Sequence, residues 1–235
     1  MIYQSSSYTD PVPQSLTVEQ AIALARDVAR SGDLAGAAQI CIKVVQAVPD
    51  QPQALHLLGL AAWRDGHPGE AMELLRRAVR SDPHFALASN DLGNLLAMQG
   101  TLAEAAASYR QAIASAPDFA EAHNNLGNLL QMTGALEEAV ACYRTAVSLR
   151  PGYAEAFRNL GSALRRLGRP DEAVTALRAA LEIDPKFTAA ISQLADLSKE
   201  LCDWTRLDEL TAQLIQIVEA DTAAVNPFVF LSLDT

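Results

Sequence analysis

The stretch AEAHNNLGNLLQMTGALEEAVACYRTAVSLRPGY, residues 120–153, decides the fold. Leu126, Leu129 and Leu130 fall on one face at helical spacing. Gly134 follows them and suits a left-handed helix C-terminal cap. A second run then carries Glu138, Ala139, Tyr143 and Ala146 until Pro151 stops it. Laid over residues 86–119, the stretch agrees at 18 of 34 positions. The 34-residue step continues outward in both directions. Prolines recur at Pro49, Pro83, Pro117, Pro151 and Pro185, and turn glycines at Gly32, Gly66, Gly100, Gly134 and Gly168. Gly59, Gly93, Gly127 and Gly161 keep the same step, as do Ala37, Ala71, Ala105, Ala139 and Ala173. Such periodicity is the signature of a repeat architecture. The repeats run 18–51, 52–85, 86–119, 120–153 and 154–187, and a degenerate sixth begins at 188.

Each repeat reads as a helical hairpin of a helix A and a helix B. Pro68 and Pro170 stand where a first helical residue needs no N–H. Glu70, Glu104, Glu138 and Glu172 stand in the first turn of helix B, where they complement the helix dipole. Gly127 and Ala139 are small and let helices A and B approach closely. A lone hairpin cannot bury its apolar face; stacked neighbours bury it, which predicts an all-α solenoid with a concave surface.

The composition narrows the function. Half of the 235 residues are hydrophobic, 20% are charged and 6% aromatic, and the formal net charge is −10. This acidic balance argues against nucleic acid and against anionic lipid. No run is long and apolar enough to span a membrane. Met1 to Ser15 lacks the basic and apolar regions of a secretory signal. Cys41, Cys142 and Cys202 are too scattered for a disulfide framework or a zinc site, and read as reduced thiols of a cytoplasmic protein. His56, His67, His84 and His123 fall in different repeats without ligand spacing. There is no phosphate loop, HExxH or GxSxG, so neither metal, cofactor nor catalytic residue is expected.

Leu126-Gly127, Gly134, Ala139, Tyr143 and Pro151 match the tetratricopeptide pattern, and the chain resembles that repeat family from about residue 18 to 200. The resemblance implies a right-handed superhelix and a function in protein–protein interaction. It divides the chain into a flexible segment 1–16, a solenoid 17–200 ending in a partial repeat 188–200, and a degenerate last repeat and linker 201–235. It also implies that helix A lines a groove. The groove-facing residues then include Asn90, Asn94, Asn124, Asn125, Asn128, Arg158 and Asn159, with Trp63 as a candidate anchor. Asn90/Asn94 and Asn124/Asn128 are spaced i, i+4 and share a face. Asn is a mediocre helix former, so its repetition mid-helix asks for a reason. An amide both donates and accepts. A row of amides could clamp the backbone of an extended peptide, or tie neighbouring helices together. Trp63 reads equally as a peptide anchor or as core. Arg165, Arg166 and Arg169 form one basic patch, read as a solvated helix end or as an acidic-peptide site. Chaperone-binding members of the family grip a terminal carboxylate with lysines; here the matching sites hold Asn90 and Glu155, so that ligand is not expected.

The sixth repeat replaces the turn glycine by Cys202, and its helix B is expected to be irregular. Leu201-Cys202-Asp203-Trp204, followed by Asn226-Pro227-Phe228, resembles the junction of the protein O-GlcNAc transferase and SPINDLY family. That resemblance implies the substrate-recognition arm of a glycosyltransferase whose catalytic lobes lie outside this chain. The apolar segment with Phe228 and Phe230 is then an interface that docks on a further domain or partner. The alternative is a stand-alone adaptor with no catalytic partner domain.

Overall fold

A computed structural model describes residues 16–220. The chain divides into two compact bodies, with the boundary in the sequence between Thr101 and Leu102. In the N-terminal body five helices follow one another: α1 Val18–Arg30, α2 Leu34–Ala47, α3 Pro52–Arg64, α4 Pro68–Ser81 and α5 Ala86–Met98. The C-terminal body holds α6 Leu102–Ser115, α7 Ala120–Thr133, α8 Leu136–Leu149, α9 Ala154–Arg166, α10 Pro170–Ile183, α11 Thr188–Glu200 and α12 Trp204–Ala220. No strand occurs among the described residues. The all-α hairpin fold read from the 34-residue step is the fold observed.

Local chemistry sets the helix ends. Thr17 and Gln20 form a capping box at α1: the Thr17 hydroxyl accepts the Gln20 N–H and the Gln20 side chain accepts the Thr17 N–H. Pro52, Pro68 and Pro170 each occupy the first turn of their helix. The turn glycines adopt left-handed backbone, with φ of +87° at Gly134, a conformation open to glycine at little cost. Their amides close the turn on carbonyls of the preceding helix, as Gly134 N–H does on Gln131.

Within each body every helix packs on the next in the chain. The A helices also touch one another, α1 with α3, α7 with α9 and α9 with α11. The core is small-residue and leucine based: Ala71, Leu75 and Ala78 from α4, and Ala139, Tyr143 and Ala146 from α8, are all buried. Gly127 on α7 makes that approach possible, since a Cβ there would meet the Tyr143 ring at 2.7 Å.

The sixth repeat differs from expectation. Its helix B, expected to be irregular, is the continuous 17-residue α12. Cys202 takes over the turn from glycine, with φ +56°. Asp203 accepts the Arg206 N–H at 3.2 Å at the start of α12. Leu210 and Leu214 are buried. Gln213 donates to the Pro185 carbonyl at 2.8 Å, as Arg77, four steps earlier, donates to Pro49. The repeat register therefore survives after its sequence signature has faded. Expectations for residues 1–15 and 221–235, including Phe228 and Phe230, lie outside the described residues.

Candidate functional site

In the C-terminal body the A helices α7 and α9 carry the amide row. Asn159 on α9 donates from Nδ2 to Asn124 Oδ1 and to Asn128 Oδ1, each at 3.0 Å. Tyr143 rises from α8 with its hydroxyl 2.8 Å from Asn128 Oδ1 and 3.0 Å from Gln131 Oε1, and its one proton serves both. Gln131 in turn donates to Ser162 Oγ at 3.1 Å. Burial pushes the Tyr143 phenol well above its ordinary value, so the hydroxyl keeps its proton. Arg158 donates to Asn159 Oδ1 at 2.6 Å and lies over the Phe187 ring. Arg166 donates to the Gln131 carbonyl at 2.9 Å.

This arrangement divides the asparagines into two roles. Asn124 is 2% exposed and Asn159 6%. The two N–H groups of Asn159 are both spent on α7. Of the two roles open to these amides, clamp or tie, the hydrogen bonds of Asn159 are those of a tie: its side chain meets Asn124, 35 residues away, across the α7–α9 contact. Asn124 is the acceptor of that tie. Asn128 differs. Two donors converge on its Oδ1, which fixes the amide orientation. Its own N–H groups have no partner among the described residues, and it is half-buried. Asn90 is buried and donates to Asp91 Oδ1 at 3.4 Å, a long contact; Asn125 is half-buried.

The N-terminal body holds a second feature that sequence reading missed. His56 on α3 meets Asp91 on α5, Nε2 to Oδ2 at 2.7 Å, and packs edge-on against Phe85. The separation is 35 residues, the same as for Asn124 and Asn159. That shared interval, one more than the repeat, was the available signal. Beside Asp91 lies a cavity of about 160 Å³ lined by Gly59, Leu60, Trp63, Leu75, Asn94, Leu95 and Met98. Trp63 forms one of its walls and is 37% exposed; it is neither core nor free surface.

The basic patch is internally paired. Arg165 forms an ion pair with Glu200, which holds its guanidinium above the ordinary value, and Arg169 pairs with Glu172 at 2.6 Å. No cluster of metal-ligating side chains occurs among the described residues. No described helix is long and apolar enough to cross a membrane.

Helical hairpins at a constant step, with polar side chains concentrated where A helices adjoin, define an α-helical repeat protein. Tetratricopeptide repeat models match residues 22–84, 56–118 and 118–186. The chain belongs to the tetratricopeptide repeat family. Among solved structures, MamA is 30% identical, with 69% of this chain and 95% of that chain covered and a TM-score of 0.61. PilW, a type IV pilus biogenesis factor, shares the fold at 18% identity and a TM-score of 0.78, over 94% of this chain and 100% of that one. YrrB, described as a TPR protein with an unusual peptide-binding site, shares it at 21% identity and a TM-score of 0.61, over 74% and 90%. No curated protein matches the chain.

Proposed function

We infer that the protein is a stand-alone interaction scaffold that binds extended polypeptide along its A helices. The observation that carries this reading is Asn128: its carbonyl is clamped by Tyr143 and Asn159 while its N–H groups are left for a ligand. A peptide carbonyl is the acceptor such a rigidly held donor fits, and it reads backbone rather than side chain. Arg158 and Ser162 adjoin the same network; Asn125 lies on α7 with Asn128, and Asn90 and Asn94 on α5 of the N-terminal body. The same fold carries a peptide-binding site in YrrB. The solved chains of MamA and PilW are covered over 95% and 100% of their length by this one, which favours the stand-alone reading. Three free thiols support a reducing, cytoplasmic location, testable by cell fractionation.

The test is a peptide array followed by calorimetry on the strongest binder. Asn128→Ala is expected to weaken binding about tenfold, the worth of one to two hydrogen bonds, and to lower the unfolding midpoint only partly, since Tyr143 keeps Gln131 and Asn159 keeps Asn124 as acceptors. Asn159→Ala, which removes both helix ties, is expected to lower the midpoint further. Equal peptide affinity in wild type and Asn128→Ala would overturn the reading.

A second reading keeps the chain as the recognition arm of a protein glycosyltransferase, with its C-terminal segment docked on a further domain. It rests on the resemblance of Leu201–Trp204 and on the exposure of that junction, where Trp204 is 60% and Leu201 39% exposed. The reading frame beyond codon 235 decides between the two.

A further inference from the structure

The cavity beside Trp63 has a filled counterpart in the C-terminal body. Every residue lining it has an equivalent two 34-residue steps later, and Gly127, Asn128 and Gln131 among these touch Tyr143. Gly59 corresponds to Gly127, Leu60 to Asn128, Trp63 to Gln131 and Leu75 to Tyr143. Asp91 corresponds to Asn159, and Asn94 to Ser162. In the C-terminal body the tyrosine ring lies over the glycine, and its hydroxyl reaches the polar groups of α7. In the N-terminal body Leu75 lies over Gly59 in the same way, at 3.0 Å from a Cβ built there. Leucine ends where the outer ring atoms and the hydroxyl of tyrosine would continue. The cavity of about 160 Å³ is what remains.

We propose that this cavity takes the side chain of a tyrosine from a bound extended polypeptide, which supplies in trans the phenol that Leu75 lacks. The walls match that chemistry. Leu60, Trp63, Leu95 and Met98 offer apolar and aromatic surface. Asp91 stands at the polar side, its carboxylate anchored by His56 Nε2 at 2.7 Å and still able to accept from an O–H. An aliphatic side chain would fill the walls but add no donor to Asp91 Oδ1, whose contact from Asn90 Nδ2 is a long 3.4 Å. An ammonium group would satisfy Asp91 but desolvate against Leu60 and Leu95 at a cost. A phenol does both. The proposal rests on the A-helix face being the ligand surface, and names the residue type read there.

The experiment uses the full chain carrying Trp204→Phe, so that Trp63 gives the one indole signal. N-Acetyltyrosinamide is titrated while the Trp63 indole N–H resonance is followed by NMR. A saturable shift with Kd on the order of 1 mM is expected for so small a ligand. N-Acetylphenylalaninamide is expected to bind about tenfold more weakly, having no hydroxyl for Asp91. Leu75→Tyr fills the cavity from within, as Tyr143 does. It should fold with an unchanged or higher midpoint and lose at least tenfold in affinity for the probe. A non-saturable shift, equal binding of the two amides, or a folded Leu75→Tyr variant that binds as wild type does would each overturn the proposal. Should Leu75→Tyr fail to fold, the contrast between the two amides still decides. Peptide binding lost in Asn128→Ala is independent of all these outcomes, so the two readings fail separately.

Discussion

Cys202 holds a left-handed backbone, φ +56°, at the place where the five earlier turns have glycine at φ between +70° and +93°. Its Cβ crowds the neighbouring carbonyl, a cost of about 1 kcal/mol that glycine avoids. The side chain is exposed, so little packing is lost on removing it. Cys202→Gly is expected to stabilise the protein by about 1 kcal/mol, read as a rise in urea midpoint at unchanged slope. A fall would mean that the thiol makes a contact that outweighs the backbone. Asn128 and Asn159 make the complementary point. They are the same amino acid on neighbouring A helices, yet one has spent its donors on a helix contact and the other has not. Residue type announces a capacity; the neighbour one repeat away decides its use.

At the scale of helices, the hairpin contact is set by a glycine under a large side chain. On α7 a Cβ at Gly127 would stand 2.7 Å from the Tyr143 ring. The ring cannot retreat without breaking its bonds to Asn128 and Gln131. Gly127→Ala is expected to cost about 1–3 kcal/mol by overpacking. Gly152→Ala, where the added carbon meets nothing within 4 Å, is expected to be close to neutral. Thermal unfolding of the two variants side by side checks this; equal midpoints would show that the α7–α8 contact has slack. The contact also explains what was legible beforehand. Helix extents followed from leucine spacing and from glycine and proline at fixed intervals, because those signals are local. A tie between neighbouring helices was one of the two readings of the amides, but its partners, Asn124 with Asn159, and the His56–Asp91 pair were not legible, because they depend on how two A helices are offset across a contact. The unbroken α12 was hidden for the opposite reason. Its packing through Leu210, Leu214 and Gln213 persists without the glycine and alanine that announce a repeat.

For the molecule as a whole, a net charge of −10 coexists with arginines that are mostly engaged, Arg165 with Glu200, Arg169 and Arg144 with Glu172, and Arg77 with Asp50. Exposed pairs of this kind add little stability; among the described residues their effect is to neutralise much of the basic surface. If recognition rests on the neutral donors and the Trp63 cavity proposed above, peptide affinity should depend only weakly on salt. The last repeat sets the remaining question, whether residues 222–235 belong to the fold. α12 already buries Leu210 and Leu214 and is anchored by Gln213 and Asp203, so the last hairpin has its own means of closure. Deleting residues 222–235 is expected to change stability by less than about 0.5 kcal/mol, a shift of roughly 1–2 °C in Tm. In a Trp63→Phe background the emission of Trp204, 60% exposed on α12, should be the same with and without the segment. Sedimentation of both forms reports any association through it. A blue-shifted Trp204 in the full chain together with a loss of several kcal/mol on deletion would show that the segment closes the last repeat. An unmoved Trp204 with self-association lost on deletion would show instead that the segment is a docking element for a partner surface.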